Sequence, residues 1–393
     1  MNLLIKGDNL VALELLRPEF EKKIALIYID PPFNIKNPAG HYPDHLPARD
    51  WIEMMRPRLA LLRSLLRPAG AIFVHIDQRM IAELKLLMNQ VFGADNFVSM
   101  ITLKVKDAAG VGQQSLIFDV CEFILVYAAR LSALRRRGFN QFLEPATGAR
   151  LRGYDKAIAD FGKPRLVRTL SRPRVGELRV FACDGYRVER LARGKAPSAQ
   201  PANFETIFAD YNPGGGMIRA IREELPARGL CFIEYVPSKG KDAGRLARVY
   251  FLNRRILAWL KDIARLDEKG RLLKKARLVN LWEFPNAGLH AEGGVEFKLS
   301  KKPEALLKKI IELGSNPGDW ILDCFLGSGT TAAAAHKLGR RWIGIESGDH
   351  LERAALPRLR RVVSGEDRTG ISRELNWSGG RGFKLLHLAG AED

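Results

Sequence analysis

Apolar residues along the chain fall into two alternating patterns. Short continuous apolar runs read as buried strands, and apolar residues at three- and four-residue spacing read as amphipathic helices. Residues 3–5 predict a first short strand, and Asp8 or Asn9 can cap a helix through Leu16 that Pro18 stops. Ile24–Ile29 is a continuous apolar strand. Trp51, Met55, Leu59, Leu62 and Leu66 share one helix face, with a kink expected at Pro57 and an end at Pro68 and Gly70. Residues 71–76 form a second buried strand. Met80, Leu84, Leu87, Met88 and Val91 mark a helix ending at Gly93, and residues 97–105 and 122–127 read as further strands. The pattern resumes after about residue 281. It gives a helix from Pro303 to Leu313, a strand over 320–325, an Ala-rich helix to Leu338, and a strand over 341–345 ending at Glu346. Strands alternating with helices in this way predict a parallel α/β sheet, here of the seven-stranded doubly wound type.

Between the two stretches the character changes. Arg135, Arg136 and Arg137 open a basic region, and residues 151–200 hold twelve Lys/Arg against five Asp/Glu. Arg165, Arg168, Arg172 and Arg174 lie among Tyr154 and Phe161, a mixture suited to phosphate contact and base stacking, although a charge run is more often a solvated face. Pro237-Ser238-Lys239-Gly240-Lys241 can hold a phosphate through backbone N–H groups, Lys239 and Lys241, or can be a hairpin tip. A strand over 248–251 and a helix over 256–263 mark a folded subdomain. The expected organisation is therefore an α/β domain in two pieces, 1–130 and 281–393, with a basic insert over 131–280.

The formal net charge of +19 over 393 residues favours polyanionic partners. Cys121, Cys183, Cys231 and Cys324 form no CxxC pair, so neither a metal cage nor a disulfide framework is indicated, and scattered thiols suit the cytoplasm. No apolar run reaches membrane-spanning length.

Two constellations carry chemistry. The strand Ile24–Ile29 ends in Asp30-Pro31-Pro32-Phe33. The prolines stiffen the backbone, so Asp30 and Phe33 are presented at a strand's carboxyl end, where open α/β sheets place ligands. An aromatic ring beside a fixed acceptor suits a planar amine-bearing molecule such as a nucleobase. The plainer alternative is a strand that ends in a Pro-Pro turn with a solvated Asp. The second constellation is Asp323-Cys324-Phe325-Leu326-Gly327-Ser328-Gly329, a strand running into a Gly-x-Gly turn and a helix. Glu346 follows at the end of the next strand, 19 residues after Gly327, placed for ribose hydroxyls. The third glycine of a dinucleotide site and the Gly-Lys-Ser/Thr of a P-loop are both missing, which disfavours NAD and P-loop nucleotides. Residues 35–48, rich in Pro and Gly, read as a loop beside the first constellation, and His75 and His290 read as core or surface residues.

Taken together, Asp30-Pro31-Pro32-Phe33, the intervening basic insert and Phe325-Leu326-Gly327-Ser328-Gly329 resemble the β group of amino-methylating DNA methyltransferases. Further stretches, including residues 4–10, 234–241, Lys301-Lys302-Pro303-Glu304 and the tail from Gly365, resemble Mod subunits of type III restriction–modification systems. Phe33 stands where Tyr is commoner, and Cys324 where Pro or Ser is frequent. The resemblance implies S-adenosylmethionine as cofactor, double-stranded DNA as substrate, a restriction subunit as candidate partner and a homodimer. It implies that Asp30 and the Pro31 carbonyl accept from the N6 amino group of a flipped-out adenine while Phe33 stacks on the base. The cofactor would lie against Phe325, Gly327, Gly329 and Glu346, with Asp323 and the helix start at Lys302-Pro303 toward its methionine end. The insert would recognise the target. N4-cytosine methylation and a recognition subunit active only with a partner remain as alternatives.

Overall fold

The computed structural model describes residues 1–34, 46–107, 117–140, 143–145, 153–172, 176–191, 204–212, 220–238, 244–267, 272–275, 278–284, 289–297 and 301–388. The chain packs into two compact units, Met1–Asn140 with Leu278–Asp393, and Gln141–Arg277.

The first unit is built on one nine-stranded sheet. Its strands are β1 (Asn2–Lys6), β2 (Ile24–Ile29), β3 (Leu66–Ile76), β4 (Phe97–Lys104), β5 (Cys121–Ala128), β6 (Leu281–Glu283), β7 (Trp320–Asp323), β8 (Arg341–Glu346) and β9 (Phe383–His387). Their order is β6-β4-β5-β3-β2-β7-β8-β1-β9. From β3 through β2, β7, β8 and β1 to β9 all neighbours run parallel, whereas β5 is antiparallel to both β3 and β4. The sheet is therefore mixed α/β and carries two strands more than the seven-stranded pattern expected. Every residue of β2 is buried, as a central strand covered on both faces requires.

Among the described residues seven helices position these strands: α1 (Asn9–Phe20), α2 (Ala48–Leu65), α3 (Ile81–Phe92), α4 (Leu131–Arg137), α5 (Glu304–Gly314), α6 (Thr330–Lys337) and α7 (Leu356–Ser364). Two prolines expected to interrupt helices lie inside them, Pro18 in α1 and Pro57 in α2. Both prolines are exposed, as are Glu14 and Glu53, whose carbonyls they leave without a helical donor. Water can serve those carbonyls, and the buried faces ending in Phe20 and Leu65 carry the helices past the break. Asp8 caps α1 by accepting from the Leu10 and Val11 N–H groups at 2.8 and 3.2 Å. α4 belongs to the first unit, although its basic sequence had pointed to the insert.

Charge is buried deeply in this unit. Lys337 donates to both carboxylate oxygens of Glu304, at 2.9 and 2.7 Å, and to Asp367 at 2.7 Å. Arg358 donates to Glu304 at 2.9 Å and to Thr330 Oγ1 at 2.7 Å. All four charged side chains are fully buried. Such groups are tolerable only when paired and hydrogen-bonded. They join α5, α6, α7 and the tail into one block.

The second unit is antiparallel. Eight strands follow the order Arg187–Arg190, Lys156–Asp160, Ile207–Tyr211, Arg255–Trp259, Ala247–Leu252, Leu230–Tyr235, Gly176–Asp184 and Lys163–Arg172. A three-stranded sheet of Ala264–Leu266, Leu272–Lys275 and Leu143–Pro145 completes it. The helix expected over 256–263 is instead a strand to Trp259 followed by a short helix, Leu260–Ile263. Ile256 and Leu257 pack into different core clusters, which is the two-residue period of a strand. Among the described residues no helix is long and apolar enough to cross a membrane.

Replacing Lys337 by Met leaves Asp367 without its ammonium partner inside the protein. We expect a loss of about 3–5 kcal/mol in chemical denaturation, the range for breaking a buried ion pair from one side.

Candidate active site

β2, β7 and β8 are adjacent and parallel, so their carboxyl ends share one edge of the sheet. Asp30, Asp323 and Glu346 stand at those three ends. The two constellations, about 290 residues apart in sequence, therefore meet at a single edge.

The Asp30 side chain is 24 % exposed, and its Oδ2 lies 3.5 Å from Lys302 Nζ. Its Oδ1 is buried and has no hydrogen-bond partner among the described residues. A buried carboxylate oxygen without a donor is costly, and a ligand N–H aimed at it removes that cost. The Phe33 ring lies 4.6 Å from Lys302 Nζ, so one ammonium touches both side chains of the motif. The Pro32 carbonyl accepts from Trp51 Nε1 at 2.9 Å, and Trp51 is fully buried in α2. That bond fixes the Pro-Pro turn to the core.

Lys302 also donates to Glu122 Oε2 at 3.0 Å. The same oxygen lies 2.7 Å from His75 Nε2, and Tyr28 OH lies 2.8 Å from His75 Nδ1. Burial, then the nearby Lys302 charge, lowers the His75 pKa, so the ring is neutral. Tyr28 OH and His75 Nδ1 are hydrogen-bonded, while Nε2, close as it is to Glu122, forms no aligned hydrogen bond with it. Burial works against the Glu122 charge, but Lys302 and His75 more than offset it and hold the carboxyl down at about 2. Burial likewise opposes the charge of Lys302, yet Asp30 and Glu122 keep its pKa above the ordinary lysine value. Tyr28 and Asp30 both lie on the β2 segment, so these five side chains close a ring through β3, β5 and Lys302.

The glycine turn lies on the neighbouring strand. Gly327 and Gly329 have φ of +55° and +81°, which side-chain-bearing residues rarely adopt. A Cβ on Gly327 would meet Phe297 Cζ at 3.7 Å, an ordinary contact, so it is the positive φ and not crowding that calls for glycine there. Leu326 seats the turn on β8: a Cβ on Gly344 would lie 2.8 Å from Leu326 Cδ2. Asn9, fully buried, donates to the Cys324 carbonyl at 2.7 Å and ties α1 to the same turn. Asp323 accepts from the Phe325 N–H at 3.0 Å, and burial pushes its carboxyl up to about 7. The Glu346 carboxylate accepts from the Gly327, Ser347 and Gly348 N–H groups at 2.8, 2.9 and 3.0 Å and lies 3.1 Å from His350 Nε2.

Several expected residues take different places. Phe325 is 5 % exposed and packs in the central core with Ile343 and Ile345, which leaves its ring no open face for an adenine. Phe297, beside Gly327 and His350, is the aromatic at the turn. Lys302 reaches Asp30 and Glu122, and the first N–H of α5 already donates to Glu292 at 2.9 Å. The lysine is thus engaged at Asp30 and Glu122. His75 and Glu122 belong to the site although sequence reasoning had not placed them there. The available signal was position: His75 stands one residue before the end of a buried strand next to β2.

In the second unit, Arg165, Arg168 and Arg172 lie on the edge strand Lys163–Arg172. Arg165 pairs with Asp184 at 2.7 Å, and Arg168 and Arg172 pair with Glu224 at 2.7 and 3.1 Å. Tyr154 and Phe161, expected among stacking aromatics, pack against the unit's own core clusters. Arg174, Lys239 and Lys241 lie outside the described residues, as does most of the loop over 35–48.

Comparison with known proteins agrees with this geometry. A family model for N6 and N4 methyltransferases, described as DNA methylase, matches residues 24–136 and 205–356. The chain is 34% identical to the probable type III restriction-modification enzyme HindVI Mod subunit of Haemophilus influenzae, over 99% of this chain and 54% of that protein. It is 29% identical to the type III StyLTI Mod subunit of Salmonella typhimurium, over 86% of this chain and 50% of that one. The chain thus spans about half the length of these two relatives. Among solved structures it is similar to the cytosine-N4-specific PvuII DNA methyltransferase, with a TM-score of 0.46 and 13% identity over 98% of this chain and 95% of that one. A family match across both constellations and over more than half of the chain places this protein in the DNA methylase family.

Proposed function

We propose that the protein methylates the N6 amino group of adenine in double-stranded DNA, with S-adenosylmethionine as methyl donor. The observation that carries this reading is the Oδ1 of Asp30, buried and without a hydrogen-bond partner among the described residues, on the same sheet edge as the glycine turn. The chain's residues suit the cofactor. The backbone at Gly327 carries no side chain, so a ligand can approach it closely, and Glu346 braces that turn. A ribose hydroxyl bound at Glu346 takes the place of one of its present partners.

When bound, S-adenosylmethionine supplies an electrophilic sulfonium methyl group. Asp30 Oδ1 and the Pro31 carbonyl accept the two amino hydrogens. Those bonds hold the nitrogen lone pair out of conjugation with the ring and directed at the methyl carbon. Phe33 stacks on the extruded base. Positioning and fixed charge supply most of the acceleration. Asp as the first residue of the motif and the similarity to Mod subunits favour adenine over cytosine.

The second unit is, in this reading, the target-recognition domain. Arg165, Arg168 and Arg172 exchange their carboxylate partners for DNA phosphates. We place the protein in the cytoplasm, as a homodimer that works with a restriction subunit.

Two experiments test this. Duplex DNA of mixed sequence, incubated with the protein and labelled cofactor and digested to nucleosides, should yield N6-methyladenine. Asp30→Ala should abolish the product and leave cofactor binding intact. N4-methylcytosine would preserve the chemistry and overturn the substrate; absence of cofactor binding would remove the methyltransferase reading altogether. For the second unit, the Arg165→Ala, Arg168→Ala, Arg172→Ala triple variant should bind DNA more weakly. The slope of log affinity against log salt should become shallower by roughly 2 to 3, the value for three lost phosphate contacts. An unchanged slope would move the DNA surface elsewhere.

A further inference from the structure

The ring of side chains behind Asp30 contains more charge than acceptance of an amine requires. Asp30 and Glu122 are both carboxylates, and each has an oxygen within 3.5 Å of one nitrogen, Lys302 Nζ. Lys302 and Glu122 are 7 % and 16 % exposed. The groups facing Asp30 are Lys302, Glu122 on β5, His75 on β3, Tyr28 on β2 and Asp323 on β7. Lys302 is the sole cation among them, since His75 is neutral.

Two carboxylates sharing a confined site cannot both stay ionised without a cation, because like charges raise each other's proton affinity. A protonated Asp30 would present a donor where an amino group needs an acceptor. We infer that Lys302 is a positioning residue for methyl transfer, holding Asp30 Oδ2 and offsetting one of the two carboxylate charges so that Oδ1 faces the substrate amine as an acceptor. Glu122, which accepts from Lys302 at 3.0 Å, keeps the ammonium from collapsing fully onto Asp30. The Glu122–Lys302 pair cancels, and the site keeps the single negative charge of Asp30 against a nitrogen that becomes positive as it takes the methyl group. The Lys302 contact with Phe33 places the same ammonium on the ring that stacks the base.

The inference uses the methyltransferase reading for its catalytic consequence only. Its charge claim is open to direct measurement in the full chain without cofactor or DNA. Carbon-13 carboxyl NMR of Asp- and Glu-labelled protein, assigned with Asp30→Asn and Glu122→Gln, follows both titrations. In Lys302→Met, one of the two carboxyls should take up its proton at least about one pH unit higher than in the parent protein. In Lys302→Met combined with Glu122→Gln, one carboxylate of the pair remains and the shift should disappear. Methyl transfer should follow the same order. Turnover in Lys302→Met should fall roughly 100-fold, with the cofactor dissociation constant unchanged. The acid limb of its rate profile should move upward in pH and return in the double variant. A packing role would give no such return. Identical carboxyl titrations in parent and Lys302→Met, or a shift that persists in the double variant, would overturn the assignment. If the parent protein forms no methylated base, the functional reading fails while the titrations still decide the role of Lys302.

Discussion

The site depends on one constraint, the parallel pairing of β2 with β7 and of β7 with β8. Parallel neighbours point their carboxyl ends the same way. Whatever side chains follow Ile29, Leu322 and Ile345 must emerge together, whatever their separation along the chain. Asp30, the glycine turn after Asp323, and Glu346 are each ordinary local features. The register that sets Leu322 beside Ile27 and Ile343 makes them one site. Core packing enforces that register, because a slip by one residue would turn buried side chains to the opposite face.

A second theme is the handling of charge away from water. The chain carries a large positive excess, yet its most buried cations are each held by carboxylates or carbonyls. Lys337 and Arg358 share Glu304, and Lys302 bridges Asp30 and Glu122. Lys301 donates to the carbonyls of His290, Glu292 and Val295 at 2.8, 2.8 and 3.0 Å. Two consecutive lysines thus do different jobs: Lys301 folds the 290–295 loop, and Lys302 bridges side chains at the sheet edge that carries Asp30. Arg358 reaches Thr330 just past the glycine turn, so the turn is braced from the core as well as from Glu346.

Much of this was legible in the sequence because it is local. Asp30-Pro31-Pro32-Phe33 and the turn at Gly327 announce themselves through residue types that restrict the backbone, and Gly93 marked the end of α3. What escaped depends on distant partners. Nothing near His75 or Glu122 shows that an antiparallel strand brings them within 2.7 Å of each other. Lys302 beside Pro303 reads as a helix start, and only the fold shows that its ammonium crosses to β2. Pro18 and Pro57 misled because burial of the opposite helix face outweighed one lost hydrogen bond. Residues 256–259 misled because a four-residue alternation is too short to separate from a helical period. Phe325 was read as packing against the cofactor because it ends a strand, but its ring lies in the core.

The strand order also governs how the protein comes into being. β1 lies between β8 and β9, with Leu3 opposite Ile343 and Lys384, and β2 finds its inner neighbour only in β7. On a ribosome the first strands are made long before their partners, and the whole second unit is synthesised in between. Until β7, β8 and β9 emerge, β1 and the inner edge of β2 are unpaired and expose apolar surface. Closure of the sheet is therefore a late event of high contact order, slow by nature and exposed to aggregation while it waits. The sheet edge that carries both constellations is created by that step, since the Asp30 end and the Gly327 turn come together only when β2 and β7 pair.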